Sequence, residues 1–156
     1  MSATTTKPIS FKRPLVSLWT VLSVTDLKSE DEVLAAIDDG RILFAFNIAG
    51  KTAKSRLVRV LAASLCNFVE GTRFPKMSFE DEWKHVERLI FPVPAPTIPA
   101  KDAAIAWNCS TQHVIALCDQ RLLRLAKGSP RHCGQGGSPQ VEYQSAVQFL
   151  RARRVF

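Results

Sequence analysis

The strongest constraint on this fold is that the chain is similar to itself. Displaced by 81 residues, Val16 to Phe68 lies over Thr97 to Phe149 without a gap, and eight of the 53 pairs are identical. The kinds of position that coincide matter more than the identities. Ser29 and Ser110 both stand where a helix N-cap is wanted. Val33, Leu34 and Ile37 overlie Val114, Ile115 and Cys118, while Ile42 and Phe44 overlie Leu123 and Leu125. Leu65, Phe68 and Val69 overlie Ala146, Phe149 and Leu150. A hydrophobic rhythm that recurs through three successive elements is what a duplicated unit requires, because each copy must bury the same faces. The alternative is one continuous domain with chance matches. A chain of 156 residues holds one ordinary domain or two small ones. The expected division is a basic arm over residues 1–15, a first copy over 16–72, a connector over 73–96 and a second copy over 97–156.

In the second copy, Pro99 opens a helix carrying Ala103, Ala104, Ile105, Ala106 and Trp107, and Asn108-Cys109 forms a turn. Ser110 caps a second helix with Val114, Ile115, Leu117 and Cys118 on one face. Leu122 to Ala126 reads as extended, Lys127 to Pro139 as a basic Gly-rich loop, and a last helix starts near Tyr143. In the first copy Ser29 and Glu32 make a capping box, and Gly40 closes the helix. Ile42 to Ile48 is the best strand candidate, Lys51 to Arg59 a loop with its return strand, and Ala62 to Glu70 a helix ended by Gly71. Leu18 to Val24 is open between helix and strand. The connector holds an amphipathic helix from Ser78 to Ile90, with Phe79, Trp83, Val86, Leu89 and Ile90 in its apolar stripe. A stiff run with Pro92, Pro94, Pro96 and Pro99 follows. That stripe needs a partner, either the chain's own units or a second copy in a homodimer.

Helix, turn, Ser-capped helix, strand, basic loop, strand and helix follow one another over residues 98–154. With V-I-A-L-C-D-Q-R-L-L-R from Val114 to Arg124 and S-A-V-Q-F-L from Ser145 to Leu150, this order resembles the winged helix-turn-helix of the MerR and excisionase group. The loop between the strands is longer and richer in Gly than the wings common there. The resemblance implies that the second helix enters the major groove and that the loop touches the DNA backbone. The expected fold class is α+β, mostly helical. It comprises two tandem winged helix-turn-helix units joined by a linker helix and a Pro-rich connector.

Charge favours a polyanionic partner. The net charge is +7 with a pI near 9.6, and the excess sits at residues 1–15 and 97–156. The two second helices differ in chemistry. The first copy carries Glu30, Asp31, Glu32 and Asp38, which phosphates would repel. The second carries Thr111, Gln112 and His113, the expected base readers, because Gln pairs with adenine and Thr can meet a thymine methyl. Expected phosphate contacts are Arg121, Arg124, Lys127, Arg131, Arg151, Arg153 and Arg154, together with Lys51, Lys54 and Arg56 of the first copy's loop. Lys7, Lys12 and Arg13 read as an arm that can lie along DNA.

Catalytic patterns are missing: there is no P-loop, GxGxxG, GxSxG or HExxH, and a non-enzymatic protein without cofactor or metal is expected. Cys109, His113, Cys118 and Cys133 match no usual zinc spacing, and Glu80, Asp81 and Glu82 suit a helix start. The four cysteines form no disulfide framework. No apolar run is long enough to span a membrane, and MSATTTKPISFKRP lacks a signal-peptide core, so a cytoplasmic, nucleoid-associated location is expected. The expected function is sequence-specific binding of double-stranded DNA, as a transcriptional regulator or an excisionase-like recombination accessory factor. The alternatives are a protein-interaction adaptor using the acidic first copy, or a packaging subunit of the phage small-terminase kind.

Overall fold

Three serines set three helix starts. Ser29 Oγ accepts from Glu32 N at 3.2 Å, Ser78 Oγ from Asp81 N at 3.2 Å and Ser110 Oγ from His113 N at 3.0 Å. Each bond satisfies an amide that the first helical turn leaves without a partner. A computed structural model describes residues 11–131 and 137–155. Its elements are β1 (Leu15–Ser17), α1 (Leu18–Val24), α2 (Glu30–Asp38), β2 (Ala45–Asn47), β3 (Val58–Leu61), α3 (Ala62–Glu70) and α4 (Phe79–Ile90). Then come β4 (Thr97–Pro99), α5 (Ala100–Trp107), α6 (Thr111–Asp119), β5 (Gln140–Glu142), α7 (Tyr143–Ala152) and β6 (Arg154–Val155). Helices and small antiparallel sheets make this an α+β fold. Lys7, His132 and Cys133 lie outside the described residues.

The order β-α-α-β-β-α occurs once from β1 to α3. From β4 to α7 the same order returns, with a single bridge, Leu125 to Val141, in place of the second strand. Hydrogen bonds repeat as well. Leu43 N donates to Ser64 Oγ at 2.7 Å, and 81 residues later Arg124 N donates to Ser145 Oγ at 2.8 Å. Ile42 N bonds to Ala36 O, and Leu123 N to Leu117 O. Gly40 and Arg121 both turn the chain in the left-handed region, at φ 75° and 61°. The gapless offset fails at one place. Val16 pairs with Val60 but Ile98 pairs with Val141, so the first strands are 82 residues apart rather than 81. The second half is one residue shorter between its first strand and the start of its second helix.

β1, β3, β2 and β6 form one antiparallel sheet in that order, and β4 and β5 form a second. Successive strand residues face opposite sides, and in the larger sheet both sides are buried. Val16, Ala45, Val58 and Val60 join Val21, Val33, Ala36, Ile37, Ile42 and Leu65 in a core belonging to the first half. Leu15, Phe46 and Leu61 face the other way, into a larger core shared with the linker helix and the second half. There Trp107 stacks on Phe149 at 5.5 Å between ring centres, with Phe91 edge-on at 6.3 Å. The apolar run Ile42 to Phe46, which leads into β2, therefore sends side chains into both cores, and the larger core is shared by the two halves.

Several expectations need correction. The strand expected over Ile42 to Ile48 is confined to β2, and Leu122 to Ala126 contributes only the Leu125 bridge. Leu18–Val24 is helical, with Ser17 Oγ accepting from Thr20 N. The arm ends earlier than residue 15: Leu15 is fully buried, and Arg13 Nη1 donates to Asn108 Oδ1 at 2.7 Å. The linker-helix stripe does not wait for a second copy of the chain. Trp83, Val86 and Ile90 are buried in the shared core, Tyr143 Oη donates to Glu87 Oε1 at 2.5 Å, and only Phe79 of the stripe stays exposed. That removes the basis for a homodimer through this helix.

Candidate nucleic-acid interface

α6 holds the three expected base readers, and they fall into different surroundings. Gln112 is exposed, and Thr111 is half-buried at the capped start of the helix. His113 is not free to read a base. Its Nε2–H donates to the Ile48 carbonyl at 2.6 Å, since a carbonyl oxygen can only accept. The first half reaches α6 elsewhere too. Lys51 N donates to Gln120 Oε1 at 2.7 Å, just beyond the helix end. Gly50 lies so close that an added Cβ would stand 2.6 Å from the same oxygen. Arg59 Nε donates to Asn108 O at 2.9 Å, and with Arg13 it clamps the left-handed turn between α5 and α6. Lys51, Lys54 and Arg56, all exposed, thus project from a loop seated on α6.

The expected phosphate-binding cations divide into two groups. Arg121, Arg124 and Arg153 line one cleft of about 430 Å³ between the turn after α6 and α7, with Glu142, Gln144, Ser145, Gln148 and Phe149. Glu142, the one carboxylate lining this cleft among the described residues, stands 3.8 Å from Nη1 of Arg124, whose side chain is 78% exposed. The first half has a cleft at the matching positions, where Gly40, Ser64, Asn67 and Phe68 correspond to Arg121, Ser145, Gln148 and Phe149. Of these two matched clefts, the one in the first half carries two guanidiniums, Arg41 and Arg73, and the one in the second half three. Lys127 and Arg131 are exposed.

The tail arginines are partly consumed by the fold. Arg154 lies over the Phe44 ring at 4.3 Å, with Glu82 at 3.7 Å, and β6 binds it to β2. Arg151 stands over Phe79 and Trp83 at 5.3 and 5.9 Å, and Arg153 over Phe149 at 5.2 Å. Such contacts anchor a guanidinium to its own chain. Arg154 is therefore withdrawn from the set of phosphate contacts, and Arg151 and Arg153 serve the core edge as well. In the first half, Glu30, Asp31 and Glu32 are exposed at the start of α2.

Burial pushes the Cys109 thiol up to about 11, with Arg59 and Arg13 pulling it back, and Cys118 rises to about 11 through burial and the Asp119 carboxylate. Both stay protonated near neutral pH and make poor nucleophiles. Among the described residues no group of three His, Cys, Asp or Glu side chains is placed to hold a metal. No helix among them is long and apolar enough to cross a membrane.

Sequence reasoning missed Ile48, Gly50 and Gln120, the residues that seat the loop. Nothing in their local pattern marks a contact between positions 65 or more apart. No family model, curated protein or solved structure matches the chain.

Proposed function

We propose that the chain binds double-stranded DNA through two tandem winged helix-turn-helix units, the second of which makes the sequence-reading contacts. The observation that carries this is the gathering of Arg121 and Arg124, from the turn after α6, and Arg153, from the end of α7, around one open cleft with a single carboxylate among the described residues. An open, cationic concavity at the turn that follows α6 suits a phosphate backbone, while Thr111 and Gln112, at the capped start of the same helix, offer the base-edge chemistry. Backbone strain favours the same reading. Arg121 holds φ 61° where the first copy has Gly40, a conformation that costs a non-glycine residue roughly 1–2 kcal/mol. Retaining an arginine there points to a use for its charge.

Two expected results test the reading. Selection of bound duplexes from a random pool will return a defined site, and Gln112→Ala will change the preferred base at one position. Equal, weak recovery of all sequences at low salt would reject it. Arg121→Gly will raise stability to urea by about 0.5–1 kcal/mol through relief of the strained φ, yet weaken binding of every duplex by a similar factor. The exposed acidic start of α2 favours a second reading, in which the first unit docks a cationic protein partner while the second sits on DNA. Regulator, recombination accessory factor and packaging subunit remain the roles compatible with such a protein.

A further inference from the structure

We infer that the first-half cleft, bounded by the turn after α2 and by α3, is a phosphate-binding site in its own right. Its volume of about 430 Å³ is that of a small-ligand pocket. Eight of the ten described residues that line it have counterparts 81 positions later in the second-half cleft, so the cavity belongs to the repeated unit. The cations do not coincide. Arg121, Arg124 and Arg153 stand where the first half has Gly40, Leu43 and Thr72, whereas Arg41 stands where the second half has Leu122. Arg73 corresponds to Arg154, which lies over Phe44 instead. Each half thus brings guanidiniums to the same cavity from different positions, which duplication alone does not produce.

What this cleft offers a ligand is donors. Ser64, 3% exposed, accepts from Leu43 N at 2.7 Å, and its own O–H has no acceptor among the described residues. Asn67 Oδ1 accepts from Thr72 Oγ1 at 3.0 Å, which leaves the side-chain N–H groups of Asn67 to donate. Arg41 and Arg73 add two guanidiniums, and among the described residues no carboxylate lines the cleft. Donors without matching acceptors call for an anion. Four side chains around one cavity suit the several oxygens of a phosphate better than the two of a carboxylate. Arg41 pairs with Asp39 at 3.3 Å, but both side chains are more than half exposed, and a pair of this kind is weak. Positions just beyond the C-terminal ends of α2 and α3 also favour positive charge. That role needs no ligand and gives no response to one.

The phosphate is either free or part of a nucleic-acid backbone, and the test separates the two. The isotope-labelled full chain is titrated with inorganic phosphate and, separately, with a mixed-sequence duplex, each against sodium chloride of equal ionic strength. The Asn67 side-chain amide resonance is expected to shift and saturate with phosphate or duplex but not with chloride. Replacing both Arg41→Ala and Arg73→Ala is expected to weaken that response by about tenfold or more. A response to the duplex identifies a backbone phosphate, and a response to inorganic phosphate alone identifies a free phosphorylated ligand. The Gln148 side-chain amide, at the matching position of the second-half cleft, reports on that cleft separately. An Asn67 resonance that moves with neither probe, or moves equally in chloride, overturns the site even where Gln148 responds to the duplex. A double variant that loses stability to urea yet responds like the wild type assigns the arginines to the helix ends alone, and overturns it too. A duplex that moves neither amide, while inorganic phosphate moves Asn67, counts against the DNA-binding reading and leaves this site standing.

Discussion

Replacing Lys51, Lys54 and Arg56 together by alanine will weaken duplex binding for every sequence to a similar degree and flatten its dependence on salt. Each cation on a phosphate releases condensed counterions, so three fewer contacts reduce the slope of log affinity against log salt by about 2.7. Over a rise from about 50 to about 200 mM salt, the wild type should therefore lose roughly fortyfold more affinity than the variant. Stability should hardly change, because all three side chains are exposed and such substitutions usually stay within about 0.5 kcal/mol. The backbone amide of Lys51, which bonds to Gln120, is kept in the variant. Parallel salt titrations of the two proteins check this. Identical slopes would take the loop off the DNA and leave only the second-half cations as contacts.

The second large effect concerns folding. Trp107→Ala will lower the free energy of unfolding by about 3–5 kcal/mol, the usual range for truncating a large buried aromatic. Trp107 is completely buried, and its partners Phe91 and Phe149 come from the connector and from α7. Trp107→Phe should cost much less. It keeps an aromatic ring against Phe149 and removes the buried Nε1, which has no hydrogen-bond partner among the described residues. An unpaired buried donor costs about 1–3 kcal/mol, and its removal offsets part of the lost packing. Because the larger core holds side chains from both halves, urea unfolding of the wild type should be one transition rather than two. A first half that unfolds separately, unmoved by Trp107→Ala, would contradict the shared interior.

The helix starts and stops were legible residue by residue. Ser29, Ser78 and Ser110 cap through bonds to an amide three residues on, and Gly71 ends α3 in the left-handed region. Such signals act within one turn of chain. The matching apolar periods of α2 and α6 were legible for the same reason, because they depend on local sequence. β1, β4 and β6 were not legible: each has two or three residues and takes its hydrogen bonds from a distant strand.

The candidate site divides along the same line. Sequence alone determined which helix is acidic and which is neutral, where the cations lie along the chain, and that the capped starts of α2 and α6 are equivalent positions. Tertiary structure alone decided that His113 bonds to Ile48, that Arg154 rests on Phe44, and that Lys51 N of the first half bonds to Gln120 at the end of α6. The physical reason is range. Caps and amphipathic periods are fixed by neighbours a few residues away, whereas exposure and charge pairing depend on which distant surfaces the shared core brings together.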